Sequence, residues 1–94
     1  MFDSGNSLDH AIDALYDPIV AMQRTAVDLE RDYRELAHRD DIATDTLGAD
    51  TTPGEAIATV TEALAAMRQA LDDVETHRAT AQRAAARLYI DPNA

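Results

Sequence analysis

Apolar residues recur along the first half of the chain at alternating spacings of four and three. The row comprises Leu8, Ile12, Leu15, Ile19, Met22, Ala26, Leu29, Tyr33 and Leu36. Such a heptad repeat places its members on one side of a helix, whereas a strand would alternate every second residue. Asp40 interrupts the row, and Ala43 and Leu47 restore its phase. The pattern predicts a helix over about residues 8–47, with Ser7 as its N-cap.

Pro18 lies inside this pattern. Proline has no backbone N–H and crowds the carbonyl four residues earlier, so a kink is predicted near residues 14–18. An alternative interpretation makes Asp17 an N-cap and Pro18 the first residue of a separate helix. The heptad phase runs unbroken through the proline, which favours one kinked helix.

The same spacing returns in the second half, through Ile57, Val60, Leu64, Met67, Leu71 and Val74. The row continues through Arg78, Ala81, Ala85 and Leu88, or in a slipped version through His77, Ala81, Ala84 and Leu88. Thr52, Pro53 and Glu55 match a capping box at the start of a helix. Because the residue before Pro92 disfavours helical angles, this helix is predicted over about residues 53–90.

Turn signals separate the two helical patterns, and Gly48 suits the residue just past the end of the first helix. A link as short as residues 48–52 predicts an antiparallel hairpin. The fold class is therefore all-α, with one helical-hairpin domain over residues 1–94. Residues 1–7 and 91–94 are predicted to be flexible tails.

A third apolar stripe predicts that the hairpin meets another helical chain. With Ile57 at heptad position a, the g positions are Ala56, Ala63, Ala70, His77 and Ala84. A stripe beside a and d is typical of a helix with more than one neighbour. The predicted partner interface adds Tyr16, Val20 and Val27 on the first helix, and Leu88 and Tyr89 on the second. The alternative is that alanine is simply a good surface helix former.

Charge narrows the choice of partner. The chain carries 18 acidic residues against eight basic ones and has a net charge of −10, which disfavours binding to nucleic acid or anionic lipid. No apolar run is long enough to predict a membrane span. The amino-terminal segment shows no secretory signal, which predicts a protein of the cytoplasm or of a phage or multiprotein assembly, with signal-independent secretion left open.

Candidate chemistry is sparse. Glu35 and His38 have the spacing of carboxylate-bundle metal ligands, but the heptad phase places them on the outer side of the first helix. Asp73 and His77 lie one turn apart, a spacing that a metal pair could use. Because His77 lies near the seam, a capped or ion-paired interfacial histidine is the favoured interpretation. The chain has no cysteine, and no nucleophile–base set or phosphate loop can be assembled. We therefore expect a non-enzyme without a cofactor or bound metal.

The layout resembles the WXG family of small type VII secretion substrates. In the carboxy-terminal stretch "AAARLYIDPNA", Tyr89 matches the tyrosine of that family's tail, while Asn93 stands where the family has an acid. The turn "TLGAD" lacks the family's Trp-x-Gly. The resemblance implies a helical hairpin that pairs into a four-helix bundle and is exported.

Three functions are thus open at the level of sequence. The first is an assembly or adaptor module that associates with itself or docks onto a larger complex. The second is a secreted substrate of the WXG type. The third is an acidic decoy that occupies a basic protein surface through an acidic row comprising Asp9, Asp13, Asp17, Asp28 and Asp32.

Overall fold

The computed structural model describes residues 4–44 and 51–88, and residues 4–7 are described by their backbone alone. The helices are α1 (Ser4–Asp13), α2 (Tyr16–Leu36) and α3 (Pro53–Ala85). The described ranges contain helix, turns and irregular segments, and no strand. The prediction of an all-α chain is confirmed.

Helix α3 runs alongside the other two helices in the opposite direction. Contacts between the helices pair early residues with late ones: Tyr16 with Arg78, Gln23 with Asp72, and Glu30 with Arg68. The result is a rod of 71 × 23 × 20 Å. A rod two helices wide has little interior, and this property governs the surface described below.

The predicted kink is confirmed as a bend between α1 and α2. It falls at Ala14 and Leu15, where the N–H of Leu15 donates to the carbonyl of Ile12 at 3.1 Å in a tight turn. Pro18 is the third residue of α2, a position whose N–H would have no partner within the helix. The start of α2 at Tyr16 thus places the proline where its missing donor costs least.

Two predicted features of the amino-terminal end are wrong. Helix α1 begins at Ser4, so Ser7 lies inside a helix and is not its N-cap. For the same reason, residues 4–7 are helical backbone and not part of a tail. The heptad row begins only at Leu8, and the apolar pattern therefore gave no sign of this first turn.

The first helical stretch ends at Leu36, well before the predicted end at residue 47. The N–H of Arg39 donates to the carbonyl of Leu36, three residues earlier, at 3.1 Å. The chain therefore leaves the α-helical hydrogen-bond pattern in a tight turn. The Arg39 side chain then donates to both carboxylate oxygens of Asp41, at 2.8 and 2.6 Å. Carboxylates are also unfavourable at the negative end of a helix dipole. The connection therefore starts at residue 37 instead of 48, and Gly48 lies outside the described residues.

Helix α3 begins as predicted and ends early. The Thr52 hydroxyl accepts a hydrogen bond from the N–H of Glu55 at 3.2 Å, and Pro53 is the first helical residue. At the other end, the N–H of Leu88 bonds to the carbonyl of Ala85 at 3.0 Å, so the helix gives way to a turn before the predicted end at residue 90. Residues 89–94, with the predicted tail at 91–94, lie outside the described residues.

The core of this rod is very small. Among the described residues, the buried apolar side chains are Ile19, Ala26 and Ile57, with 5%, 2% and 8% of their surface exposed. A domain of ordinary shape and similar length encloses many more. Most of the apolar side chains that the heptad pattern supplies must therefore lie at the surface.

We expect Thr52→Ala to destabilise the protein by about 1 kcal/mol, because the N-cap oxygen of α3 is lost. Thermal unfolding followed by circular dichroism at one fixed protein concentration measures this change. Thr51→Ala, one residue earlier, is the matched control and should be close to neutral. An equal effect of both substitutions would contradict a capping role for Thr52.

Candidate interaction surface

The heptad row of the first half splits into two rows with different surroundings. The inward row contains the buried Ile19 and Ala26. The other row is exposed, and its exposed fractions are Leu8 64%, Leu15 53%, Met22 48% and Leu29 38%. The contact between the helices therefore leaves this second row uncovered.

Helix α3 divides in the same way. Its inward face contains apolar Ile57, Leu64 and Leu71, of which Ile57 is buried and the others half-buried. The rest of that face consists of residues adjacent to the predicted seam: Thr61, Arg68, Glu75 and Gln82. Three residues of the predicted seam lie on the outer side instead: Met67, Val74 and Leu88 are 50%, 45% and 72% exposed.

The two exposed rows, one from α1 and α2 and one from α3, line two grooves between the helices. Near the middle of the rod, one groove is lined by Ala21, Met22, Thr25, Ala26, Leu29, Leu64 and Met67. Towards the end of α3, a second groove is lined by Leu8, Ala11, Ile12, Leu15, Ala85 and Leu88. Both grooves are almost entirely apolar. Because the same heptad rows border both, they belong to one face of the rod.

We define the apolar groove by its exposed large residues. These are Leu8, Leu15, Met22 and Leu29 from α1 and α2, and Met67, Val74 and Leu88 from α3 and the turn after it. Scattered exposed apolar side chains are normal on any protein, but a contiguous apolar strip marks a contact surface. This strip runs along most of the described rod.

The alanine column predicted from the sequence flanks the apolar groove on α3. Its members Ala63, Ala70, His77 and Ala84 are exposed, and Ala56 is half-buried. Ala63 and Ala70 lie about 50° around the helix from Met67, on the side away from α2. The flank of the groove therefore consists of small side chains that allow another helix to approach closely.

The second predicted patch lies on the other side of α2. Val20 is half-buried and Val27 is 49% exposed, and both lie about 150° around the helix from Met22. Tyr16 is 45% exposed, with the Arg78 guanidinium carbon 5.2 Å from the centre of its ring. A partner that fills the groove would not reach these residues. Leu88 lies in the groove, and Tyr89 lies outside the described residues.

A polar network closes the rod on the side opposite the groove. Glu30 is 2% exposed, and its carboxylate accepts hydrogen bonds from Arg68, one of them from Nη2 at 3.1 Å. Arg34 adds a third bond to Glu30 at 3.3 Å. The Arg68 hydrogen bonds lower the pKa of Glu30 below its ordinary value, against the opposing effect of burial.

A second polar contact between the helices lies about two turns away, where Gln23 Nε2 donates to Asp72 Oδ1 at 2.7 Å. The heptad pattern does not reveal these two contacts, because it relates only the apolar residues of each seam. The sequence does contain one indication of the ionic contact. Glu30 directly follows the seam residue Leu29, and Arg68 directly follows the seam residue Met67. Oppositely charged residues adjacent to two facing seams indicate a contact between helices.

The candidate metal pairs lie on exposed surface. Glu35, His38, Asp73 and His77 are all exposed. Within residues 4–44 and 51–88, no three histidine or carboxylate side chains come close enough to hold a metal ion. Within the same ranges, no helix has the length and apolar character needed to cross a membrane.

Comparison of the chain with models of protein families gave no match, and comparisons with curated proteins and with solved structures gave none either. The function is therefore inferred from the surface itself.

We expect Glu30→Gln to lower the unfolding temperature at neutral pH, because Arg68 loses its charged partner. The pKa of Glu30 is lowered in the folded state, so the carboxylate stabilises the fold above its ordinary pKa of 4.5. This stabilisation is lost as the pH falls through the lower folded value. The difference in unfolding temperature between wild type and variant should therefore shrink below about pH 4.5.

Glu62→Gln is the matched control, because Glu62 is an exposed carboxylate of α3 that makes none of these contacts. It should leave the unfolding temperature nearly unchanged at neutral pH. Thermal scans of the three proteins at a series of pH values provide the measurement. A gap between wild type and Glu30→Gln that stays constant down to acid pH would show that packing, and not charge, causes the loss.

Proposed function

We propose that this chain is a non-enzymatic interaction protein: an antiparallel helical hairpin that associates with further helices through the apolar groove and so completes a four-helix bundle. One observation carries the proposal, namely the continuous row of half-exposed leucine, methionine and valine side chains on one face of the rod. Such side chains are stabilised when another surface removes them from water, by about 25 cal/mol per Å² of apolar area covered.

The exposed area of the chain supports the same proposal. Its accessible surface is 7395 Å². A compact monomer of the same mass exposes about 5300 Å², so this chain exposes about 2000 Å² more than its mass requires. Its Cα radius of gyration of 21.2 Å also exceeds the roughly 12 Å of a compact domain of this length. Association with other helices is the ordinary way for such a rod to acquire a core.

The flanks of the groove suit a helical partner. Over most of its length the α1–α2 flank carries exposed residues that are small or only weakly polar: Ala11, Ala14, Ala21 and Thr25. On the α3 side the alanine column plays the same part. Small flanking residues let helix axes approach to the short end of the usual 8–10 Å. The Glu30 network closes the opposite side, so the two faces differ clearly in chemistry.

The other two hypotheses receive less support from the surface. An acidic decoy needs a row of free carboxylates. Two members of the row are instead paired with Arg31, whose guanidinium nitrogens lie 3.5 Å from Asp28 Oδ1 and 3.3 Å from Asp32 Oδ1. A secreted substrate of the WXG type stays a prediction, because Tyr89, which carries the resemblance, lies outside the described residues.

Substitution of the alanine column tests the proposal. We expect wild-type protein to sediment as a multiple of its 10.2 kDa chain. Ala63→Glu combined with Ala70→Glu places two charges beside the groove and should raise the dissociation constant by about a hundredfold or more, because each unpaired charge at an interface costs several kcal/mol. Both positions are exposed in the single chain, so circular dichroism should show that most of the helix is retained.

Val27→Glu is the control, because Val27 is about as exposed as Met67 but lies on the other side of α2. It should leave the sedimenting mass unchanged. The proposal fails if wild type sediments as a single chain at every concentration. It also fails if Val27→Glu dissociates the assembly while the double variant does not.

A further inference from the structure

We infer that the occupant of the apolar groove is a second copy of this chain, placed so that α2 of each copy packs face to face against α3 of the other. This inference rests on the proposed function, and it adds the identity of the partner and its direction. In this arrangement the twofold axis runs along the rod, and the two connections between α2 and α3 lie at the same end of the bundle.

The middle of the groove is built of layers in which the two sides contribute side chains of different size. The contacts between α2 and α3 join residues whose numbers add up to nearly the same total, which fixes the level of each residue along the rod. At matching levels lie Leu8 with Leu88, Leu15 with Ala81, Met22 with Val74, and Leu29 with Met67. In the two middle layers the residue from the first half of the chain, Leu15 or Met22, is the larger, and in the two outer layers the sizes are similar.

This size difference selects one direction for the second copy. If α2 faces the partner's α3, the two middle layers alternate large and small side chains around the bundle axis, which fills the core without voids. In the reversed direction α2 would face the partner's α2. Leucine and methionine would then crowd one side of the core, and alanine and valine would leave a gap on the other side. Overpacking and cavities each cost one to several kcal/mol, by an order-of-magnitude estimate.

Charge favours a second copy over a basic foreign helix. The chain has a net charge of −10, but the flanks of the groove are uncharged over most of their length. Two acidic chains can therefore meet here with most of their charge facing water. Where acids do approach the groove, at Asp28 and Asp32, Arg31 already pairs with both. A basic partner would find few free carboxylates along this face.

The shape of the face also fits a second copy. The groove is bordered by an exposed row of large apolar side chains on each side. A second rod of the same length presents an equal apolar face, so each copy covers the exposed rows of the other.

Cross-linking tests the arrangement directly, because the chain has no cysteine of its own. Thr25 and Ala70 are both exposed, lie at the same level, and flank opposite sides of the groove. Thr25→Cys and Ala70→Cys are prepared separately, mixed in denaturant, refolded together and treated with a short bis-maleimide. Each chain then carries one thiol, so every cross-link joins two chains. We expect links between Thr25→Cys and Ala70→Cys to exceed links between identical variants several-fold.

The matched control pair is Arg24→Cys with Gln69→Cys. Both residues are exposed at about the same level as the test pair, but each lies about 160° around its helix from a groove residue, Met22 or Met67. This pair should give almost no cross-links. Circular dichroism of all four variants checks that each one refolds.

The possible outcomes separate the two proposals. A predominance of links between identical variants would overturn the direction of the second copy. An absence of links in a sample that sediments as an assembly would overturn the arrangement and leave the interaction function standing. A wild-type protein that sediments as a single chain would instead contradict the proposed function itself.

Discussion

Two helices lying side by side can cover only one strip of each other's surface, and every other property of this protein follows from that constraint. The heptad pattern supplies two apolar rows on each helix, but the contact between the helices buries little more than Ile19, Ala26 and Ile57. The second row of each helix then falls on a common face. The rod therefore buries few apolar side chains and leaves a row from each helix exposed.

The polar contacts accompany the choice of rows that face inward. Glu30 can be buried only while Arg68 and Arg34 hold its charge, and this requires α2 and α3 to turn their polar edges towards each other. Gln23 and Asp72 fix the same rotation about two turns away. That rotation carries Met22, Leu29, Met67 and Val74 to the opposite side. The ionic network and the apolar groove are thus two consequences of one rotation of the helices.

Much of the fold follows from local sequence signals, whereas the interaction surface does not. The heptad spacing indicates the helices, Thr52 and Pro53 mark the start of α3, and Pro18 marks the bend. The early end at Leu36 is followed by a tight turn and by an ion pair between Arg39 and Asp41, neither of which the apolar spacing reveals. The groove was missed because both rows of each seam are apolar. Only the contacts across the rod show which row lies inside.

Two methionines provide the most direct measurement of whether another chain covers the groove in solution. The side chains of Met22 and Met67 are 48% and 50% exposed in the single chain, on opposite borders of the groove. With carbon-13 in the methionine methyl groups, an inert paramagnetic chelate dissolved in the sample relaxes each methyl signal according to its contact with solvent. We expect both methyl signals to be strongly protected. Relaxation at the rate expected for half-exposed methyl groups would show that the groove is open to water, and it would contradict the account.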